Sequence, residues 1–343
     1  MLSGIELAER GLVPDVVIRA GIRKLLKDRL RDCAGSDVEQ SWNQFVDFLS
    51  AMDKSPLAVN TADANKQHYE VPAAFYELCL GPRKKYSSCL YKTGNESLAL
   101  AEEVMLGLTC ERAGLADGMD ILELGCGWGS LSLWMAEKYP NAKITAVSNS
   151  ASQKAFIDSV AAARGFRNLT IVTRDMNQFS VDARFDRVVS VEMFEHMRNW
   201  RLLFSRIAGW LKPSGKLFFH IFVHKNFTYP FETDGNDDWM ARHFFSGGIM
   251  PSFDFPLRFQ KDLKIESQWL VSGTHYGKTA RHWLENLDAN KDKALRLFAA
   301  DKNTADSPSV MVNRWRIFFM ACEELWKYDE GREWFVGHYL FSL

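Results

Sequence analysis

The sequence predicts an α/β protein with a mostly parallel sheet, and three observations lead to that prediction. Beyond Asp120, short β-rich runs alternate with runs of helical periodicity. A glycine loop, Gly125-Cys126-Gly127-Trp128-Gly129, joins the first β-rich run to the helix after it. A last β-rich run, residues 334–341, follows a long helical stretch. Strands that alternate with helices pair through right-handed βαβ units, which makes neighbouring strands parallel.

Taken in order, residues 5 to about 52 read as helices. Val16, Val17, Ile18, Ile22, Leu25, Leu26 and Leu30 have nearly helical spacing, and Trp42, Phe45, Val46, Phe48 and Leu49 repeat it. A polar stretch, Asn60 to Gln67, then separates this region from the rest, giving an N-terminal helical region 1–66 and a main domain 67–343. Strands are predicted at 121–124, 143–148, 169–172, 185–191, 216–221, 269–271 and 334–341, with a long helix over 312–328. Segment 223–262 interrupts the alternation with Phe227, Tyr229, Phe231, Trp239, Phe244, Phe245, Phe253, Phe255 and Phe259, together with the flexible pair Gly247-Gly248. Such an aromatic insertion is more often a cap over a site than an oligomer contact.

Composition narrows the function. The 42 Lys+Arg against 43 Asp+Glu leave a formal charge of −1, so no sequence-wide electrostatics favour nucleic acid. Hydrophobic residues at 47% exclude disorder as the dominant state. The six cysteines form no Cys-x-x-Cys pair, so neither a metal site nor a disulfide framework is expected. Charged residues come too early for a secretory leader and no apolar run is long enough for stable membrane insertion, so a reducing, cytoplasmic setting is expected. Aromatics make 13% of the chain, which suits either a large core or a ring-lined pocket.

The glycine loop selects a ligand class. Its spacing is Gly-x-Gly-x-Gly, not the Gly-x-Gly-x-x-Gly of dinucleotide binders. The second strand ends in Ser148-Asn149, with no acidic residue to grip an NAD ribose. With Glu123 ahead of it, the loop resembles the first motif of S-adenosyl-L-methionine-dependent methyltransferases. That resemblance implies a Rossmann-like class I methyltransferase fold, a seven-stranded mostly parallel sheet with a reversed last strand, here carrying N-terminal helices and the aromatic cap insertion. It implies S-adenosyl-L-methionine as cofactor, held by Glu123, Gly125, Gly127, Gly129 and Asn149. Gln153 would reach the ribose, and Asp175, followed by Met176, the adenine amino group.

Further segments narrow the family. Gln67-His68-Tyr69-Glu70-Val71-Pro72, Lys85-Tyr86-Ser87-Ser88, Glu192-Met193-Phe194-Glu195-His196-Met197 and His275-Tyr276-Gly277-Lys278-Thr279 resemble the cyclopropane-fatty-acid-synthase superfamily. Phe219-His220-Ile221, Asp237-Asp238-Trp239-Met240, Phe244 to Ser252 and His338-Tyr339-Leu340-Phe341 look most like its coclaurine N-methyltransferase branch. Tyr86 and Ser87 join the expected cofactor residues on this resemblance. The lipid enzymes of the superfamily use a bicarbonate ion as base, held partly by a Cys in Tyr-Ser-Cys. Ser88 stands at that Cys position here, while Glu195 and His220 match the other pocket residues.

The resemblance implies N-methylation of a small aromatic, alkaloid-like amine of the tetrahydroisoquinoline or coclaurine type. An amine is largely protonated near neutral pH, so a site must attract a cation and then remove its proton. Glu192, Glu195 and His196 supply that chemistry if they share a helical turn, with His196 as base, Glu192 as its orienter and charge partner, and Glu195 positioning amine or cofactor. Trp239, Phe244, Phe245, Trp315 and Phe318 are candidate substrate-binding rings, although the spacing of Trp315 and Phe318 suits core packing equally. The alternatives are a cyclopropane-synthase-type enzyme acting on a lipid acyl-chain double bond and a non-catalytic cofactor-binding scaffold. The oligomeric state stays open, a homodimer included.

Overall fold

The protein is described from a computed structural model covering residues 3–59, 73–231, 239–301 and 306–343. The expected boundary at 66/67, the His68-to-Pro72 motif and Asp237-Asp238 lie outside the described residues.

Helices come first: α1 (Gly4–Glu9), α2 (Asp15–Ala34), α3 (Val38–Lys54), α4 (Ala73–Cys79) and α5 (Leu98–Ala113). Their ends follow local chemistry. Ser97 caps α5 by accepting the Leu100 N–H, and Gly114 ends it in the left-handed region at φ 61°. No residue of α2 is fully buried, but Ile18, Ile22, Leu26 and Leu30 are partly buried against the core. Ion pairs add to its docking: Arg19 bonds Glu323 and Glu324 at 2.8 and 2.7 Å. In α1, the Glu9 carboxylate accepts bonds from Trp239 Nε1 (2.8 Å) and Arg314 Nε (2.9 Å).

The alternating region then runs β1 (Asp120–Leu124), α6 (Ser130–Lys138), β2 (Lys143–Ser148), α7 (Ala151–Ala163), β3 (Leu169–Thr173), β4 (Phe185–Val191), α8 (Trp200–Trp210) and β5 (Leu211–His224). After the hairpin-like β6 (Tyr229–Pro230) and β7 (Ile249–Met250), with α9 (Trp239–His243) between them, come β8 (Lys264–Val271), α10 (Gly273–Ala289), α11 (Lys291–Ala300), α12 (Pro308–Lys327) and β9 (Trp334–Ser342). The main sheet has seven strands in the order β3-β2-β1-β4-β5-β9-β8. The pairs from β3 through β5 are parallel, and β9 runs antiparallel to both neighbours. The last strand of the chain is therefore the reversed one, inserted between β5 and β8.

The period-two alternation of the strands divides the core. Ile121, Ile144, Val189 and Phe218 pack with α5 and α6 on one face. Leu122, Val188, Leu217, Phe219 and Ile221 pack on the other with Trp200, Leu203 and Phe204 of α8. A third cluster joins α4, α10, α12 and the cap around Trp128 of the glycine loop.

Two strands exceed their sequence expectations by more than one residue. β5 starts at Leu211 because its first residue pairs with Phe185 before a bulge. β8 starts at Lys264, and at the sheet margin its outer residues are half-exposed and polar, which blurs the apolar signal. Segment 223–262 also divides. Val223 and His224 complete β5, while Phe255 and Phe259 enter the core against Trp200.

Candidate active site

Parallel strands β1 to β4 end at one edge of the sheet, and the residue stretch after each contributes to a common cavity, as expected for an open α/β sheet. The cavity has two lobes. The larger is lined by Lys85, Tyr86, Ser87, Trp128 and Tyr276 and by an apolar wall of Phe222, Phe231, Met240, Phe244, Phe245, Trp283, Phe318 and Trp326. The smaller is lined by Ala58, Ser148, Asn149, Arg174, Asp175, Met176 and Met197. Gly125, Gly127, Gln153, Glu192 and His196 line both.

The loop after β1 needs its glycines for separate reasons. All three have positive φ, 76° at Gly125, 51° at Gly127 and 78° at Gly129. A Cβ at Gly125 would sit 2.6 Å from Met193 Cγ, and one at Gly129 2.6 Å from Ile157 Cγ1. Gly127 has nothing within 4 Å, so its face is open to the cavity. The Glu123 carboxyl accepts the Ser132 hydroxyl, tying β1 to the first turn of α6, and burial pushes it up to about 7. The Ser130 hydroxyl, at the start of α6 and on the larger lobe, is buried and has no protein partner.

At the ends of β2 and β3 the candidates fall together. Gln153 is 1% exposed, its carbonyl accepting the Ser148 hydroxyl at 2.7 Å. Asp175 faces the smaller lobe and caps its own turn by accepting the Asn177 N–H at 2.7 Å.

The stretch after β4 departs from the helical turn expected there. Glu192 has φ 49°, so it stands outside the turn, and only Phe194–His196 wind as a 3-10 helix. The reversed backbone sends its carboxylate toward the sheet. Oε1 accepts the Ser88 N–H at 3.1 Å and lies 3.1 Å from His220 Nε2; Oε2 accepts the Tyr276 hydroxyl at 2.6 Å. The helical spacing expected to link Glu192 with Glu195 and His196 therefore does not hold, because residue 192 stands outside the turn. Burial pushes the Glu192 carboxyl up to about 7, opposed by the Lys85 ammonium and its hydrogen bonds.

Glu195 is wholly buried behind the wall. Its Oε1 accepts the Phe222 N–H at 2.8 Å, clamping the 3-10 turn to β5, and burial raises its carboxyl well above the usual range. His196 lies on both lobes with its ring 4.5 Å from that of Phe245. Among the candidate rings, Phe244, Phe245 and Phe318 line the larger lobe. Trp315, 2% exposed, packs behind them against Phe75, Tyr76 and Phe244. Trp239 packs on Phe244 from the far side while bonding Glu9. Tyr276, Trp283, Trp326 and Lys85 were missed as site residues. The His275-Tyr276-Gly277 and Lys85-Tyr86-Ser87 motifs carried a signal for Tyr276 and Lys85, while nothing local marked Trp283 or Trp326.

Comparison with known proteins agrees with this architecture. The chain is 37% identical over 337 residues to (S)-coclaurine N-methyltransferase of Thalictrum flavum subsp. glaucum, covering 97% of this chain and 93% of that one. A crystal structure of coclaurine N-methyltransferase bound to N-methylheliamine and SAH superposes with a TM-score of 0.94 at 34% identity, covering 98% of each chain. The cyclopropane synthase MmaA2 of Mycobacterium tuberculosis shares the fold, with a TM-score of 0.71 at 20% identity over 84% of this chain and all (100%) of that one. Fold, glycine loop and these likenesses define an S-adenosyl-L-methionine-dependent methyltransferase. Within that class the chain belongs to the mycolic acid cyclopropane synthetase family, whose model matches residues 58–331.

Among the described residues no helix is long and apolar enough to cross a membrane, and no group of three or more His, Cys, Asp or Glu could hold a metal ion.

Proposed function

We propose that the protein methylates the nitrogen of a small aromatic amine, of the tetrahydroisoquinoline type for which its coclaurine relatives are named. The observation that carries this reading is the position of Glu192 and His196, which line both the ring-walled lobe and the lobe at the strand ends.

The smaller lobe suits the adenosyl part of the cofactor. Asp175 offers an acceptor for an amino group, Asn149 and Gln153 offer amide groups for ribose hydroxyls, and Met176 gives an apolar surface for a base. On the other side, the open face of Gly127, the unpartnered Ser130 hydroxyl, Tyr86 and Ser87 suit its amino-acid tail. When bound, S-adenosyl-L-methionine supplies an electrophilic methyl on a sulfonium.

The residues divide the remaining tasks. Phe222, Phe231, Phe244, Phe245 and Phe318 exclude water and attract a cationic, planar ligand through their ring faces. The Glu192 carboxylate stabilises the ammonium form as it enters, and the His196 imidazole removes the proton that blocks the nitrogen lone pair. Alignment of that lone pair in the closed lobe then supplies much of the rate. Glu195 acts at a distance, by fixing the turn that carries His196.

The lipid-alkene reading is weakened by the same carboxylate. Ser88 N–H and His220, two groups at positions matching the bicarbonate pocket, are already engaged by Glu192. A panel of arylalkyl amines and unsaturated phospholipids, incubated with methyl-labelled cofactor in bicarbonate-free buffer, tests both readings by mass spectrometry. Label is expected on an amine. Label on an acyl chain, or on nothing in the panel, would overturn the proposal.

A further inference from the structure

Behind the cavity wall a chain of side chains crosses the sheet. Arg112, in the last turn of α5, holds its guanidinium 5.1 Å from the Trp269 ring centroid. Its Nη1 lies 2.9 Å from Nδ1 of His338. Nε2 of His338 lies 2.9 Å from Nδ1 of His220, whose Nε2 is 3.1 Å from Oε1 of Glu192. His220 and His338 are direct partners in the β5–β9 register, so the sheet itself brings the rings together. Both are wholly buried.

The first member fixes the direction. A guanidinium donates hydrogen bonds and accepts none. Nδ1 of His338 must therefore accept. A neutral imidazole has one N–H, so His338 donates from Nε2 to Nδ1 of His220, and His220 in turn donates from Nε2 to the carboxylate. Burial, with Lys85 and Arg112 nearby, holds His220 well below its ordinary range; burial, with His220, Arg112 and Lys85, does the same to His338. Both rings are thus neutral, as the directional argument requires.

We propose that Arg112, His338 and His220 form a one-way hydrogen-bond chain that sets the tautomer of His220 and aims its N–H at Glu192, making Arg112 and His338 positioning residues for methyl transfer. The proposal rests on the reading of Glu192 as the carboxylate that receives the amine. Because Arg112 keeps its proton, the chain is a brace and not a proton path. Other groups also face Glu192: the Ser88 N–H, Lys85 and Cys89 from the segment after α4, Tyr276 from α10 and Cys322 from α12. Glu102 stands near Lys85, Tyr86 near Tyr276, and Glu195 and His196 share the turn after β4. None of these groups is bonded to Arg112; since Arg112→Met also removes a positive charge, the histidine tautomers are read beside the titration.

The test compares Arg112→Met, which cannot donate, with Arg112→Lys, which can only donate. Methylation of coclaurine is followed as kcat/KM against pH, and ¹⁵N-histidine NMR reads the tautomers. Arg112→Met should move the acid limb to higher pH by about one unit, since a carboxylate that loses a donor is protonated more easily. Arg112→Lys should restore the limb, and wild-type His338 and His220 should both carry their proton on Nε2. An unmoved limb in Arg112→Met, or a proton on Nδ1 of His338 in the wild type, would overturn the chain. The NMR reading on the wild type stands even if Arg112→Met fails to fold. Glu192→Gln separates the two levels: unchanged kcat/KM in that variant refutes the role of Glu192 itself, whereas a strong loss beside an unmoved Arg112→Met limb refutes only the chain.

Discussion

Glu192 is a non-glycine residue in the left-handed region, a conformation that costs about 1–2 kcal/mol and persists where the surroundings enforce it. Its N–H donates to the His220 carbonyl at 2.8 Å, and three further bonds hold the carboxylate. Glu192→Gln should lower kcat about 10²-fold or more, measured by steady-state methylation, because the amide carries no charge to meet an ammonium. In the wild type, kcat/KM should fall as pH drops through about 7, where the carboxylate takes up a proton. The stability effect has the opposite sense. The folded carboxyl is raised from 4.5 to about 7, so the unfolded chain releases its proton first and stability falls as pH rises through that window. Thermal melts should therefore show Glu192→Gln gaining on the wild type between pH 5 and pH 7.

At the scale of elements, the strands were legible because β-branched and aromatic residues cluster in them, as in Lys143–Ser148 and Phe185–Val191. The helical spacing of Glu192, Glu195 and His196 misled, since nothing local announces that residue 192 reverses its φ. Tyr276 reaches Glu192 from α10, 84 positions away, a contact that periodicity cannot reveal. The place of the glycine loop between β1 and α6, by contrast, was legible, and its packing makes a sharp prediction. Gly125→Ala would drive a methyl into Met193, which shares the turn with His196, while also straining a φ of 76°. Cofactor affinity, measured by calorimetry, should fall at least tenfold, with β1 and α6 retained in circular dichroism.

For the molecule as a whole, the cavity joins parts that are far apart in sequence: the glycine loop, the turn after β4, the cap, α10 and α12. A ligand that binds only this assembled form stabilises all of it. At a cofactor concentration one hundred times Kd, the gain should be about 2.7 kcal/mol, read as a rise in Tm. Asp175→Ala should shrink that rise at the same concentration, and an equal rise in the variant would remove Asp175 from the adenine role. The rings from Trp315 and Trp239 sit one layer further out, which sequence alone could not separate from Phe244 and Phe318, since helical spacing marks a buried face without saying whether that face meets a cavity or a core.

The bonds from Trp239 and Arg314 to Glu9 tie α1 to α9 and α12, the elements that back the wall of the pocket. Trimming the chain ahead of Pro14, a common manoeuvre to improve crystals, would sever that hold while sparing every cavity-lining side chain. Kinetics collected on such a shortened enzyme should show a raised KM, because Trp239, which packs on Phe244 of the cavity wall, would lose its bond to Glu9.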